Sequence, residues 1–271
     1  MDLREHVNNE RDALLGELEE FLRMPSISAR KDDGAGFREC AEWVAGKLEE
    51  AGARATIMET EGHPVVYAEA GEGDRTLLSY GHYDVQPPEP LDLWTSPPFT
   101  ATRREGKLFG RGVSDDKGHF VARLLAIDAL LAARGTLPCR IVWIVEGEEE
   151  IGSPHLPEFV HDYRERLRGD ACLWEFGYVD GEGVPVLHAG LRGICYVELT
   201  VETASRDAHS GVGGSIFPNA AWRLTWALSS LKGPDERIRI PGHYDHVREP
   251  TARDRALMEE ALAPLMPSHH R

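Results

Sequence analysis

The stretch Pro138-Cys139-Arg140-Ile141-Val142-Trp143-Ile144-Val145-Glu146-Gly147-Glu148-Glu149-Glu150 decides the fold. Its five consecutive large apolar residues are mostly β-branched and leave no polar face, so the run suits an interior strand of a mostly parallel sheet covered by helices. On its N-terminal side, Gly118 to Arg134 has the long amphipathic period of a helix. Residues 8–23 and 37–51 carry the same period, and apolar runs at 54–58, 64–68 and 76–80 alternate with Gly-rich turns. On its C-terminal side a helix is expected near 155–168, with short strands at Ala171–Trp174 and Val184–His188. The class is therefore α/β. After Gly193 the texture changes: Ile194 to Thr203 alternates like a half-exposed strand, a helix follows at Asn219–Leu231, and a short strand is expected at Arg237–Ile240. The expected division is a first domain over 1–192 and a smaller α/β domain over 193–271.

With 46 acidic against 30 basic residues and a formal charge of -16 in 271 residues, the chain lacks the clustered cations that nucleic acid or an anionic membrane requires. A hydrophobic content of 41% argues for a packed core. The four cysteines, Cys40, Cys139, Cys172 and Cys195, form no C-x-x-C pair and read as buried free thiols of a reducing compartment. The start is charged and lacks the apolar centre of a signal peptide, and the longest apolar stretch, Leu124 to Ala133, contains Asp128 and is too short to span a bilayer. A soluble cytoplasmic protein is expected.

Ligands of open α/β sheets bind beyond the carboxyl ends of the strands. Four such ends here are acidic or carry an imidazole. Gly81-His82-Tyr83-Asp84-Val85-Gln86-Pro87 closes the 76–80 run with His82 and Asp84 on one side, an arrangement that suits a ligating imidazole held by a carboxylate. Gly110-Arg111-Gly112-Val113-Ser114-Asp115-Asp116-Lys117-Gly118 precedes the 118–134 helix; capping accounts for one aspartate, not two with three glycines. Glu146 to Glu150 follows the most apolar strand, where Glu148 reads as part of a solvated face, and Glu175 follows Ala171-Cys172-Leu173-Trp174. One His with several carboxylates and no Cys matches a hydrolytic site for zinc, manganese or cobalt rather than a structural zinc site. A carboxylate between two cations can bridge them while another stays free as general base, and Glu149 and Glu150 stand side by side for the duties of base and ligand.

His82 to Pro87, Gly110 to Gly118, Glu149-Glu150-Ile151-Gly152-Ser153 and Leu191-Arg192-Gly193 together resemble the M20 family of metallopeptidases, most closely its carnosinase-like dipeptidase branch, which is related to succinyl-diaminopimelate desuccinylase, acetylornithine deacetylase and aminoacylase. The resemblance implies two divalent ions, zinc by preference. His82 and Glu175 would hold one, Glu150 the other, and Asp115 would bridge them. It further implies that Glu149 is the general base, that Asp84 orients His82, and that the Asp115–Asp116 peptide is cis. Residues after Gly193 resemble the family's inserted lid, which mediates homodimerisation, and Asp207-Ala208-His209-Ser210-Gly211 resembles the segment whose His reaches a partner's site and stabilises an oxyanion. Glu175 stands where carnosinase-like members often carry Asp and deacylases carry Glu, so dipeptides and N-acyl amino acids both remain as substrates.

Family members run longer, returning after the lid to supply a final His ligand. No residue here matches it, and His269 and His270 sit in a terminal tail. The lid is thus expected to be incomplete. Two readings stand side by side: a metal-dependent hydrolase of peptide or amide bonds, or a truncated, non-catalytic pseudo-enzyme that keeps the fold and at most one metal.

Overall fold

The computed structural model describes residues 2–30, 35–175, 177–179, 183–186, 188, 191 and 193–269; Arg192 and His270 lie outside them. The chain divides into two compact units, Met1–Tyr178 and Val179–Arg271.

The first unit is a mixed α/β layer structure. In chain order it contains helices α1 (Leu3–Leu22) and α2 (Ala35–Glu50), then strands β1 (Arg54–Met58), β2 (Val65–Ala70) and β3 (Thr76–His82). A small ribbon of β4 (Thr102–Arg104) and β5 (Lys107–Phe109) follows, then α3 (Lys117–Arg134), β6 (Arg140–Glu146), α4 (Leu156–Tyr163) and β7 (Ala171–Leu173). The main sheet has the order β1-β2-β6-β3-β7. Strands β6, β3 and β7 are mutually parallel, whereas β2 runs antiparallel to both β1 and β6. Four of the five strands therefore share one direction, with β2 reversed between β1 and β6.

Strand parity explains the central position of β6. Ile141, Trp143 and Val145 enter a core shared with Phe21, Val44, Leu48, Phe120 and Leu124, while Val142 and Ile144 face the opposite cluster with Val65, Tyr67, Tyr80 and Phe159. Helices α1, α2 and α3 supply the first of these layers and α4 contributes Phe159 to the second. A strand buried on both faces needs apolar residues at every position, which is what residues 141–145 provide. Helix α3 ends where Gly135 takes the left-handed conformation at φ 72° and its N–H returns to the Leu131 carbonyl.

The second unit contains α5 (Ser210–Gly213), α6 (Ala220–Leu231), begun by the Asn219 side-chain Oδ1 accepting from Ala221 and Trp222 N–H, and α7 (Ala252–His269). Two sequence expectations fail here. Residues 194–203 form no strand and are largely exposed, with Tyr196 at 90%. A strand exists through its ladder, and none of the described residues pairs with this stretch. The strand expected at Arg237–Ile240 shrinks to a single antiparallel bridge between Lys232 and Ile238. The cysteine expectation also needs correction: Cys40 alone is buried, Cys139 is half-buried, and Cys172 and Cys195 are exposed because one lies on the edge strand β7 and the other in the unpaired stretch. Among the described residues, no helix is long and apolar enough to cross a membrane.

Trp143, 2% exposed at the centre of β6, is the largest side chain in its core. Trp143→Ala should lower the free energy of unfolding by about 3–5 kcal/mol in urea titrations, as expected for a cavity of that size.

Candidate metal centre

The parallel register sets His82 at the end of β3 opposite Glu146 at the end of β6, and β7 lies on the other side of β3. Glu175 follows β7 by two residues, and a 3-10 turn at Glu149–Ile151 follows β6. The loop entering α3 brings Asp115 to the same end of the sheet, within 3.0 Å of the His82 ring. Five sequence-predicted residues thereby gather on the carboxyl side of three parallel strands, and Glu150 joins them through the turn it shares with Glu149.

His82 is fully buried. Its Nδ1 lies 3.0 Å from the Asp84 carbonyl oxygen and 3.2 Å from the Asp84 carboxylate, so that nitrogen carries a proton and Nε2 is the nitrogen turned into the site. Around Nε2 stand Asp115 Oδ1 at 3.0 Å, Glu149 Oε2 at 3.9 Å and Glu175 Oε2 at 3.9 Å. Asp84 also accepts hydrogen bonds from the Glu149 N–H at 3.2 Å and the Glu150 N–H at 3.1 Å, tying the acidic turn to the imidazole. Gln86 Nε2 donates to Glu150 Oε2 at 2.8 Å and to the Glu150 carbonyl at 3.1 Å, which fixes that side chain.

The second aspartate of the loop does not cap α3. Asp116 is the N-cap residue but makes no side-chain cap bond; its carboxylate accepts from the His82 N–H at 3.2 Å and meets His119 Nδ1 at 3.0 Å. The peptide between Asp115 and Asp116 is cis. Lys117 turns into the protein, where Nζ donates to the Phe21 carbonyl at 3.1 Å and the Met24 carbonyl at 2.7 Å at the end of α1, adding a second donor to carbonyls that already accept the Met24 and Ser26 N–H. Burial pulls its pKa down to about 8. This lysine anchors the start of α3 to the end of α1 and so holds the loop that presents Asp115.

Electrostatics couple the carboxylates of the cluster to His82. Burial disfavours a charged His82, yet hydrogen bonds to Asp115 and Asp84 and the charges of Asp84 and Asp116 outweigh it and push the imidazole up to about 12. Glu175 is pushed up to about 8, chiefly by desolvation and then by Glu149, Asp116 and Asp115, against the opposing pull of His82. Desolvation followed by neighbouring carboxylates likewise raises Glu149 and Glu150. Glu175 Oε2 is buried and has no hydrogen-bond partner among the described residues. Carboxylates crowded out of water in this way stabilise positive charge at their centre.

The donor set suits a divalent ion. As the side chains stand, no group of three His, Cys, Asp or Glu among the described residues is arranged to hold a metal. The separations of 3.0 and 3.9 Å from Nε2 nevertheless bracket the edge of roughly 3.3–3.6 Å that ligands about 2.0–2.2 Å from a tetrahedral ion would have. One imidazole, several carboxylates, no thiolate and an orphaned carboxylate oxygen fit a hydrolytic metal.

One expected candidate lies in the other unit. His209 caps α5, with Nδ1 accepting from the Gly211 N–H at 3.1 Å. The solvated-face reading of Glu148 is overturned: its side chain is buried and bound to His155 Nδ1 at 2.8 Å, because the chain after Gly147 turns inward at this residue. Sequence reasoning gave no role to Asp116, Lys117, Gln86 or Arg123. Arg123 donates 2.6 Å bonds to the Tyr80 and Trp174 carbonyls, joining the ends of β3 and β7 beside Glu175. An arginine amid the apolar period of α3 was the available signal.

Comparison with known proteins gives the family of the chain. The family described as Peptidase family M20/M25/M40 matches residues 78–261, a span that opens within β3 and takes in every residue of the cluster. The chain belongs to this family. It is 33% identical over 264 residues to a Cys-Gly metallodipeptidase of Schizosaccharomyces pombe, covering 92% of this chain and 56% of the relative. Over 188 residues it is 36% identical to the Beta-Ala-His dipeptidase of Homo sapiens, covering 68% of this chain and 37% of that protein. Among solved structures, an M20 family metallo-carboxypeptidase of Sulfolobus solfataricus superposes with a TM-score of 0.84 at 36% identity, covering 95% of this chain and 60% of the other. Human carnosine dipeptidase 1 gives 0.70 at 26% identity, covering 93% and 56%. The chain thus spans about half the length of the curated relatives it matches.

The Asp115 loop depends on its glycines, most tightly on Gly118. A Cβ at Gly118 would overlap the Val113 carbonyl oxygen, a backbone atom that cannot swing away, whereas a Cβ at Gly16 in α1 meets nothing within 4 Å. Gly118→Ala should destabilise by about 1–3 kcal/mol or more. Gly16→Ala should stabilise by about 0.5–1 kcal/mol through helix propensity. Denaturant midpoints of the two variants check both signs.

Proposed function

We propose that this M20 protein is a metal-dependent hydrolase that cleaves the peptide or amide bond of dipeptides or N-acyl amino acids. The observation that carries the proposal is the buried His82, held from behind by Asp84, with Nε2 facing Asp115, Glu149 and Glu175. The names of its relatives, a Cys-Gly metallodipeptidase and a Beta-Ala-His dipeptidase, favour short peptides as substrates.

His82, Asp115, Glu150 and Glu175 would hold two divalent ions, with Asp115 between them; the mixed nitrogen and oxygen donors favour zinc, with manganese or cobalt as alternatives. When bound, such ions polarise a scissile carbonyl and lower the pKa of a water. The chain's own part is to place a base. Glu149 is half-exposed, faces the His82 ring at 3.9 Å, and has no hydrogen bond that would compete for its carboxylate among those that fix Glu150. From there it can take a proton from the attacking water and pass it to the leaving amine. Asp84 keeps His82 in one tautomer and fixes the backbone of Glu149 and Glu150. We assign residues 1–192 to the catalytic domain and 193–271 to a lid through which the intact protein forms a homodimer. His209 would then stabilise the tetrahedral oxyanion at a partner subunit's site.

The test is hydrolysis of Cys-Gly and β-Ala-His by protein loaded with zinc or manganese. Turnover should vanish with a chelator and return with the metal. Glu149→Gln should lower kcat by about 10²–10⁴-fold, the usual worth of a general base, while metal content measured by mass spectrometry stays at the wild-type level. Metal lost with Glu149→Gln would exchange the base and ligand roles, and full turnover in chelated protein would refute the proposal.

A further inference from the structure

The acidic turn is held at both ends, and only its front anchor, Asp84, belongs to the set of predicted site residues. At the rear, the turn closes through Ile151 N–H to the Glu148 carbonyl at 3.2 Å, Gly152 N–H to the Glu149 carbonyl at 2.9 Å and Ser153 N–H to the Glu148 carbonyl at 2.9 Å. Gly152 and Ser153 both have positive φ, 88° and 50°. Glycine takes that conformation freely, whereas a serine there is disfavoured by about 1 kcal/mol or more and persists when something else fixes it.

What fixes it is Glu146, the last residue of β6. Glu146 is 2% exposed, and its Oε1 accepts from Ser153 Oγ at 2.8 Å and from Tyr80 OH at 2.6 Å. Tyr80 is itself held, stacked on Trp174 with ring centroids 4.1 Å apart, one residue before Glu175. A buried carboxylate at the end of the central strand β6 therefore reaches the turn and clamps its exit. The residues between the two anchors are Glu149 and Glu150.

We infer that Glu146 and Ser153 are positioning residues: they hold the 149–152 turn so that Glu149 and Glu150 face His82, and they touch neither substrate nor metal. This inference rests on the proposed hydrolase for its kinetic readout, not for its structural one. The hydroxyl bond to Glu146 acts with Asp84 to fix the turn from opposite ends, and losing it frees the exit while the entry stays tied. The displacement needed to spoil a base is small, since reacting groups must sit within a few tenths of an ångström of their productive places.

Ser153→Ala and Ser153→Gly separate the clamp from the backbone conformation, because glycine restores an unstrained left-handed residue and neither restores the hydroxyl. Both variants should lose about tenfold or more in kcat for dipeptide hydrolysis, with KM within about twofold of wild type. Glu146→Gln, which keeps an acceptor oxygen, should stay within about threefold, whereas Glu146→Leu should match Ser153→Ala. In parallel, amide hydrogen exchange at Gly152 and Ser153 or its replacement should quicken about tenfold in Ser153→Gly, with the β6 amides of Val142 and Ile144 unchanged. Wild-type kcat in Ser153→Gly, or unchanged exchange in the turn, would overturn the inference. If the wild-type protein hydrolyses no dipeptide, the functional proposal fails, and exchange alone then decides whether the clamp exists.

Discussion

Burying carboxylates at the end of a parallel sheet demands compensating positive charge, and the whole of this site is arranged around that demand. His82 has no solvent contact, and Asp84, Asp115, Asp116, Glu149 and Glu175 all act on it or on each other. Desolvation and carboxylate attraction pull the imidazole in opposite directions, and the carboxylates win. The same balance leaves Glu175 with a buried oxygen that accepts no hydrogen bond among the described residues. A divalent cation would relieve this conflict, because each carboxylate added to the cluster raises the cost of the next.

The scaffold meets the demand with ordinary packing. Strand β6 is apolar on both faces and cannot shift without uncovering one of two cores, so the register that sets Glu146 beside His82 is strongly specified. Lys117 fastens the Asp115 loop to α1 from below, and Arg123 ties the ends of β3 and β7. None of these residues is a metal-ligand candidate, but each removes a degree of freedom from one that is.

The α/β class, the central strand and the acidic strand ends were legible because each rests on a local pattern: five apolar residues in a row, or a polar residue where a hydrophobic run stops. What lay outside local pattern was missed. Glu148 sits in a charge run that reads as solvated, and only the inward turn after Gly147 takes it to His155. Cys172 reads as buried until the sheet order places β7 at an edge. Residues 194–203 have the alternation of a strand, but alternation supplies no partner, and a strand without a ladder does not form. The Glu146 to Ser153 clamp spans seven residues in sequence and needs Ser153 in a backbone conformation that composition does not reveal.

The central claim is that the carboxylates around His82 form a cation site. Anomalous diffraction at the zinc edge from crystals equilibrated with micromolar zinc tests it directly. The account predicts a peak about 2.0–2.2 Å from His82 Nε2 and from oxygens of Asp115 and Glu175. Peaks confined to surface histidines such as His161, with none at His82, would contradict it.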